Sequence, residues 1–591
     1  MKQTFINLKK KSNYIRKIFS IFVSVYFLYS YFNKNRKHYT NQNRNLGNNN
    51  ALINENFFVI DSNNLDAIIP HMYGFSISKK GILTDNYYKL LGEYEKPLPQ
   101  GTYVMIRKIG DEIIIDQDFY GSFGLYIYDK KDENYFALSN SFLLLEEYLV
   151  DKKNISLNKD FADNLIVTNV ISFSLDETLI KEIKRIKSNA YIIINIKAKS
   201  FKIINHDYKE NSIPLESEEG LNIIDNWVDK WCYIFRSLKK QTDNISVDLS
   251  GGFDSRSTLS VLLNSGIDLK GITIHSYRDE INDHVSDFKI ASNMSSKLGF
   301  KLNNPLLDES ATIWNTKDSL FHEIYSKLGF HKQFYIRDRF YDKPRFCFTG
   351  SGGEFLRGKP NVPINKFIKT ISLKNIKSHK EEFYNSSLKL LNRTISLLKK
   401  KKFDNDFEIA FELYLAVGRN HFGKAAVQSF MANIYTLQPL MDPEIRKIKY
   451  EISNSTCHDL ISYLYVRFSK ELIQFPFQGN RTLNIKSIKK ALILNNKIKP
   501  YERKSDYNSN FYIDKTKKSP VVGSTSESKI YKYLMDLFKS PKYLNIVKNI
   551  YDNNVINWAN EYSKTNSFPL SQHYALLAIA KTLNKNNNFF K

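Results

Sequence analysis

The sequence predicts an α/β protein whose N-terminal unit is rich in sheet and whose second unit holds a parallel sheet leading into a helical C-terminal region. Three observations predict it. Short β-rich runs dominate from about Phe57 to Tyr208, strands and helices alternate from about Leu221 to Glu354, and apolar residues recur at helical spacing beyond that point. A chain of 591 residues exceeds one ordinary core, so two or three domains are expected.

Residues 1–50 form a basic and apolar N-terminal segment with an Asn-rich linker. Ile18 to Phe32 is an apolar, aromatic-rich run with Lys9, Lys10, Lys11, Arg16 and Lys17 before it and Lys34, Arg36 and Lys37 after it. It is short for a spanning helix, which needs about 20 residues, and it lacks a small-residue cleavage site. Three readings stay open: a helix lying on a membrane surface, a short anchor, or an extension without a role. Residues 33–50 are polar, aperiodic and linker-like.

Residues 51–210 carry the runs FFVI, TYVMIRKI, EIIIDQ, SFGLYIYD, YFALSN, AYIIINIKA and SFKIINH, separated by turn-forming stretches. Lys209 to Glu219 reads as a linker. Residues 211–591 begin with a helix over Leu221–Lys240, a strand over Asn244–Leu249, and a helix from about Ser255 to Asn264. A strand over Gly271–Ser276, a helix from about Ser286 to Leu298 and a strand over Arg345–Phe348 follow. That order implies parallel pairing through crossover helices. The Lys-, Asn- and Ser-rich stretch from Arg503 to Glu527 is expected to form a mobile lid.

Between the first of these strands and its helix lies Ser250-Gly251-Gly252-Phe253-Asp254-Ser255. Two glycines let backbone N–H groups close around phosphate oxygens. The following helix points its positive end at the same anion. Ser250 and Ser255 add hydroxyls, and Asp254 is suited to Mg²⁺. The loop lacks the Lys-Ser/Thr ending of a Walker A motif. A plain tight turn is the bland alternative.

This loop resembles the pyrophosphatase loop of the N-type ATP pyrophosphatases, and the larger pattern is similar to the asparagine synthetase family. Thr349-Gly350-Ser351-Gly352-Gly353-Glu354 resembles that family's second Gly-rich acidic loop. Leu437-Gln438-Pro439-Leu440-Met441-Asp442 resembles its Arg-x-Pro-Phe-Leu-Asp segment, and Arg503-Lys504-Ser505-Asp506-Tyr507 its late basic region. Gly121 to Asp129 with Tyr135 to Asn140 resembles its glutaminase-type domain. The resemblance implies an N-terminal α+β sandwich of the glutaminase (Ntn) type, then a doubly wound parallel-sheet ATP pyrophosphatase domain with a helical C-terminal region. It further implies that a carboxylate attacks the α-phosphorus of ATP and that a nitrogen nucleophile then displaces AMP. On this likeness Ser250, Gly251, Gly252, Asp254 and Ser255 hold the pyrophosphate. Asp254 and Glu354 carry Mg²⁺, Leu249 and Ile274 flank the adenosine, and Gly350 lines the AMP site. Asp254, Glu354 and Lys504 are the catalytic candidates, Lys504 neutralising developing charge. Lys489 and Lys490 compete with Lys504 for that role, and a solvated surface lysine is its bland reading.

The sequence departs from the family in two places. No cysteine precedes Cys232, so the first domain lacks the thiolate that glutamine hydrolysis needs. Ser351 stands where the family usually has a glutamate, and Glu354 replaces an aspartate. The expected activity is therefore that of a glutaminase-deficient relative, similar to the β-lactam synthetases: ATP-dependent, AMP-forming amide-bond formation. A small-molecule, sugar or peptide carboxylate would be joined to ammonia or an amine, in surface-polysaccharide or natural-product biosynthesis.

Two other classes compete: a tRNA-modifying N-type pyrophosphatase, and a non-catalytic nucleotide-binding homologue. The excess of 86 basic over 61 acidic side chains gives a net charge of +25. The lysines are dispersed, so no nucleic-acid partner is expected. The three cysteines form no CxxC pair and the histidines no zinc spacing, which argues against a structural zinc site and fits a reducing compartment. The negative mean hydropathy excludes a multi-span membrane protein. A cytoplasmic location is expected, with peripheral membrane contact through residues 18–32 as the open addition.

Overall fold

The computed structural model describes residues 52–53, 57–85, 100–130, 134–149, 153, 155–167, 174–206, 212–276, 284–303, 339–340, 343–356, 380–399, 424–431, 433–449, 458–504, 510–515, 523–524 and 541–557. The N-terminal segment with its apolar run, and Ser505 to Tyr507 of the late basic region, lie outside them. The described chain is mixed α/β.

Two sheets, antiparallel except for one parallel strand contributed from the C-terminal part at Tyr512–Ile513, occupy the N-terminal part. One has the order Leu52–Ile53, Phe58–Asp61, Tyr135–Ser139, Tyr126–Lys130, Ile183–Arg185. The other runs Ser200–Asn205, Ala190–Asn195, Glu112–Gln117, Gly101–Ile109, His71–Ser78, Gly81–Leu83, and closes with Tyr512–Ile513. Strict alternation in Ala190–Asn195 sends Ile192 and Ile194 inward, where they pair with Ile115 and Ile113. Phe136 of the first sheet meets Phe201 of the second with ring centroids 5.1 Å apart, and both sheets feed one core.

The parallel sheet contains β1 (Ile245–Asp248), β2 (Thr273–His275), β3 (Leu302–Asn303), β4 (Arg345–Phe348) and β5 (Ile434–Leu437), in the order β3-β2-β1-β4-β5. Every neighbouring pair is parallel. Helix α1 (Glu218–Lys239) precedes β1, α2 (Phe253–Leu263) joins β1 to β2, and α3 (His284–Leu298) joins β2 to β3. Ser217 caps α1 by accepting the Gly220 N–H at 3.0 Å, a contact worth about 1 kcal/mol. Cys232 of α1 packs against α2, its thiol donating to the Val261 carbonyl. Further along lie α4 (Lys380–Lys399), α5 (Asp459–Phe468) and α6 (Ile485–Asn496).

Four expectations are revised. The linker over Lys209–Glu219 ends earlier: Ile213–Pro214 pairs with Ile448–Lys449 and α1 starts at Glu218. Residues 122–125 are turn rather than strand, because the Asp118 carboxylate gathers the Tyr120 and Ser122 amides and bends the chain there. Ile434–Leu437 is a strand inside the region read as helical. The lid stretch is pinned at two points, by Tyr512–Ile513 beside Gly81–Ile82 and by Gly523–Ser524 beside Arg339–Phe340. Among the described residues no helix is long and apolar enough to cross a membrane.

Candidate functional site

In an open parallel sheet, ligands bind beyond the carboxyl ends of the strands where the strand order reverses. Here the order reverses between β1 and β4. The loop after β1 is Ser250 to Ser255, and the loop after β4 is Thr349 to Gly353, so both Gly-rich segments of the sequence meet at one crevice. Their contact is intimate. A Cβ on Gly350 would lie 2.2 Å from the Ser255 nitrogen, and one on Gly353 would lie 2.4 Å from Asp254 Cγ. Glycine at these two positions is what lets the second loop rest on the first turn of α2.

The first loop is tied within itself. Ser250 N–H donates to Ser255 Oγ at 3.0 Å, the two hydroxyls are 2.9 Å apart, and Gly252 N–H donates to Ser250 Oγ at 3.2 Å. Gly252 takes the N-cap position with no side-chain cap, so no capping side chain takes up the amides that open α2. The Gly251 N–H is engaged elsewhere, donating to the Asp287 carboxylate of α3 at 2.8 Å.

The residues around Asp254 suit a polyphosphate-bound Mg²⁺. Its carboxylate is pressed against the Gly353 backbone, one residue before Glu354, at a helix N-terminus that favours a bound anion. Glu354 is the second residue of the short helix Gly353–Leu356, and its side chain lies outside the described residues. Among the described residues no group of three or more His, Cys, Asp or Glu side chains forms a metal cage by itself.

Other predicted residues fall differently. Leu249 and Ile274 are buried in the core; Ile274 is the middle residue of β2, and the Leu249 N–H donates to the His275 carbonyl. Lys504 is not brought to the loop. It lies mostly exposed on the outer face of α1, with Nζ 2.6 Å from Asn226 Oδ1 and 3.3 Å from Asp229 Oδ2. Its neighbour Arg503 donates to the Ser265 carbonyl, past the C-terminal end of α2; helix rise puts that point about 15 Å from Ser255. Lys490 bridges Glu216 and Asp459, and Lys489 is exposed.

Further side chains build the site from afar. Arg256 is buried beneath the first loop, donating to the carbonyls of Leu472, Phe475, Pro476 and Gly251 and lying 3.7 Å from the Phe477 ring centroid. Burial lowers its pKa to about 10. Lys230 of α1 reaches Asp442 at 2.5 Å, and Trp231 Nε1 donates to the same carboxylate at 2.9 Å. Met441, next to Asp442, packs on Gly352, so the Leu437–Asp442 segment supports the second loop.

Another is the imidazole of His275 on β2, 2.9 Å from Asp248 Oδ1 on β1; the Cys347 thiol donates to the same oxygen at 3.3 Å. Burial opposes the imidazolium, but the charge and hydrogen bond of Asp248 outweigh it and raise the His275 pKa. Alternation along the strands signals which face these residues share. Their neighbours across the sheet become legible only in the fold.

Cys232 offers no reactive thiol: it is fully buried and burial pushes its pKa up to about 12. No family model matches the chain, and no curated protein matches it.

Proposed function

We propose that the chain is a nucleotide-dependent α/β enzyme that splits ATP between its α- and β-phosphates. The observation that carries this reading is the meeting of the two Gly-rich loops at the switch point between β1 and β4, with Asp254 against the backbone that leads to Glu354. Within that class, the reading is an AMP-forming carbon–nitrogen ligase of the asparagine synthetase type that does not hydrolyse glutamine.

Ser250, Ser255 and the amides opening α2 receive the departing pyrophosphate. Asp254, with Glu354, would hold Mg²⁺, which supplies charge neutralisation for the polyphosphate. Asp287 and Arg256 fix Gly251 from opposite sides, through its N–H and its carbonyl. Gly350 brings the second loop within reach of the adenylate. The acyl group is a small-molecule, sugar or peptide carboxylate, and the acceptor is ammonia or an amine, in a cytoplasmic reaction.

The test is pyrophosphate release by the full chain with ATP and Mg²⁺ over a panel of sugar acids, amino acids and peptides, beside Asp254→Ala. Release that depends on one carboxylate and vanishes in the variant supports the reading. Nucleotide binding without release or ATP–pyrophosphate exchange for any carboxylate would sink it in favour of a non-catalytic homologue.

A further inference from the structure

Helix α6 presents an unusual outer face. Seven large apolar side chains are conspicuously exposed among the described residues, and three of them, Ile485 (70%), Ile493 (58%) and Leu492 (39%), belong to this one helix. At about 100° per residue, Ile485, Lys486, Lys489, Leu492, Ile493, Asn496 and Lys497 fall within an arc of about 140°, and all seven are exposed. The opposite side, with Ser487, Ala491 and Leu494, is buried. Core packing against α5 is thus satisfied by one side, and the exposed apolar residues are surplus to it.

Along the chain segment that carries this face the charge has one sign, with Glu216 and Asp459 meeting the helix at Lys490 and Ser487. Between Glu471 and Glu502 the chain has no acidic residue and carries Arg481, Lys486, Lys489, Lys490, Lys497 and Lys499. Lys490 turns inward to Glu216 and Asp459, while the other five cations are exposed. An apolar strip set among lysines matches an anionic lipid surface, where aliphatic side chains enter the acyl boundary and ammonium groups meet headgroup phosphates. Nucleic acid would use the cations but gain nothing from Ile485, Leu492 and Ile493. A second copy of this chain would bring like charge against like charge.

We propose that α6 is a peripheral membrane-docking face that seats the protein on anionic phospholipid. It is independent of the enzymatic reading. The face is nevertheless close to the candidate site through the fold: α5 packs between α6 and α2, and the Leu472–Gln478 segment that grips Arg256 and Gly251 leads from α5 towards α6. Docking through α6 would hold the crevice near the bilayer, in reach of a carboxylate carried on a lipid or at its surface.

The experiment is vesicle co-sedimentation of the full chain on phosphatidylglycerol-containing and pure phosphatidylcholine vesicles. The variants are Lys486→Glu/Lys489→Glu/Lys497→Glu and Ile485→Ser/Leu492→Ser/Ile493→Ser, with unchanged thermal melting as the folding control. Binding should require the anionic lipid and weaken with salt. Each cation near the surface contributes about fivefold, so the lysine variant should lose roughly a hundredfold in partitioning. The apolar variant should lose about tenfold or more, and the loss should persist at high salt. A third variant, Phe22→Asp/Phe27→Asp, isolates the N-terminal run. The proposal is overturned if wild type ignores anionic vesicles, if both helix variants bind like wild type, or if the N-terminal variant alone abolishes binding. It is equally overturned if the helix variants alter only oligomeric state or RNA retention.

Discussion

The antiparallel sheets bury carboxylates, the parallel sheet borders its crevice with half-buried ones, and the two use them in opposite ways. Asp118, in the N-terminal part, accepts the amides of Tyr103, Tyr120 and Ser122 and the Ser122 hydroxyl. Asp61 likewise receives the phenols of Tyr135 and Tyr148. Such carboxylates are saturated by groups of their own domain and hold turns in place. Asp248 instead ends β1, and Asp254 lies in the first turn of α2 beside the switch point, where a neighbouring strand and the second loop meet them. A buried acid that closes a turn stabilises a fold, whereas one at a crevice edge is placed to meet a ligand.

The sharpest break of that comparison is a matched pair of substitutions. Asp254→Ala should lower carboxylate-dependent pyrophosphate release by about a hundredfold to a thousandfold, the scale of losing one preorganised charge-stabilising group, with melting little changed. Asp118→Asn should do the reverse, melting earlier while the remaining folded protein turns over normally. Burial raises the Asp118 pKa to about 6 despite its hydrogen bonds. A raised carboxyl pKa contributes stability that is fully present below the ordinary carboxylate value and is lost as pH rises through about 6. Denaturation curves between pH 4 and 7 should therefore fall more steeply for wild type than for Asp118→Asn. Equal slopes would show that Asp118 is already ionised at the bottom of that range.

Arg256 comes next. Arg256→Met removes the donors to four carbonyls while keeping much of the apolar stem, and should cost about 3 kcal/mol in urea unfolding. Arg256→Lys should recover only part, because an ammonium cannot fan its donors across that cage. Gly350→Ala tests the contact between the two loops. Its Cβ meets backbone, which cannot swing aside as a side chain would, so a loss of about 1–3 kcal/mol is expected together with reduced turnover. A fully active, fully stable Gly350→Ala would mean that the loops do not rest on each other in solution.

How much of this was legible beforehand depended on whether the signal was local. Glu112–Gln117 and Arg345–Phe348 were readable as strands from their own residues, and so was the strand–loop–helix setting of Ser250 to Ser255. His71–Ser78 escaped because it is buried on both faces, so alternation is absent, and Gly74 and the two serines dilute its β character. Ile434–Leu437 escaped because four residues between helical patterns carry no period. At the site, the residues that fix the loop come from far along the chain: Asp287 is 36 positions from Gly251, and the carbonyl of Pro476 is 220 from Arg256. Local likeness alone does not separate Lys504 from the other lysines, and only the fold reveals that Asn226 and Asp229 of α1 hold it.

The smallest effect sharpens the comparison from the domain boundary. Arg393 of α4 grips Glu177 of the N-terminal part through two bonds, Nε to Oε1 at 2.7 Å and the second guanidinium nitrogen to Oε2 at 3.0 Å, and reaches Asp160 at 2.8 Å. Burial pushes the Glu177 carboxyl up, but the hydrogen bonds from Arg393 and Asn158 and the nearby positive charges prevail and set it below the ordinary glutamate value. A depressed carboxyl pKa contributes stability present above the unfolded value and lost as pH falls through the folded one. Glu177→Gln should therefore cost about 1 kcal/mol near neutral pH, discounted because Arg393 is almost half exposed. The difference from wild type should close below about pH 4. Since the pair bridges the two regions, its loss should shift the melting of both together. A variant in which only the antiparallel part melts earlier would show that Arg393 serves that part alone and that the regions unfold as separate units.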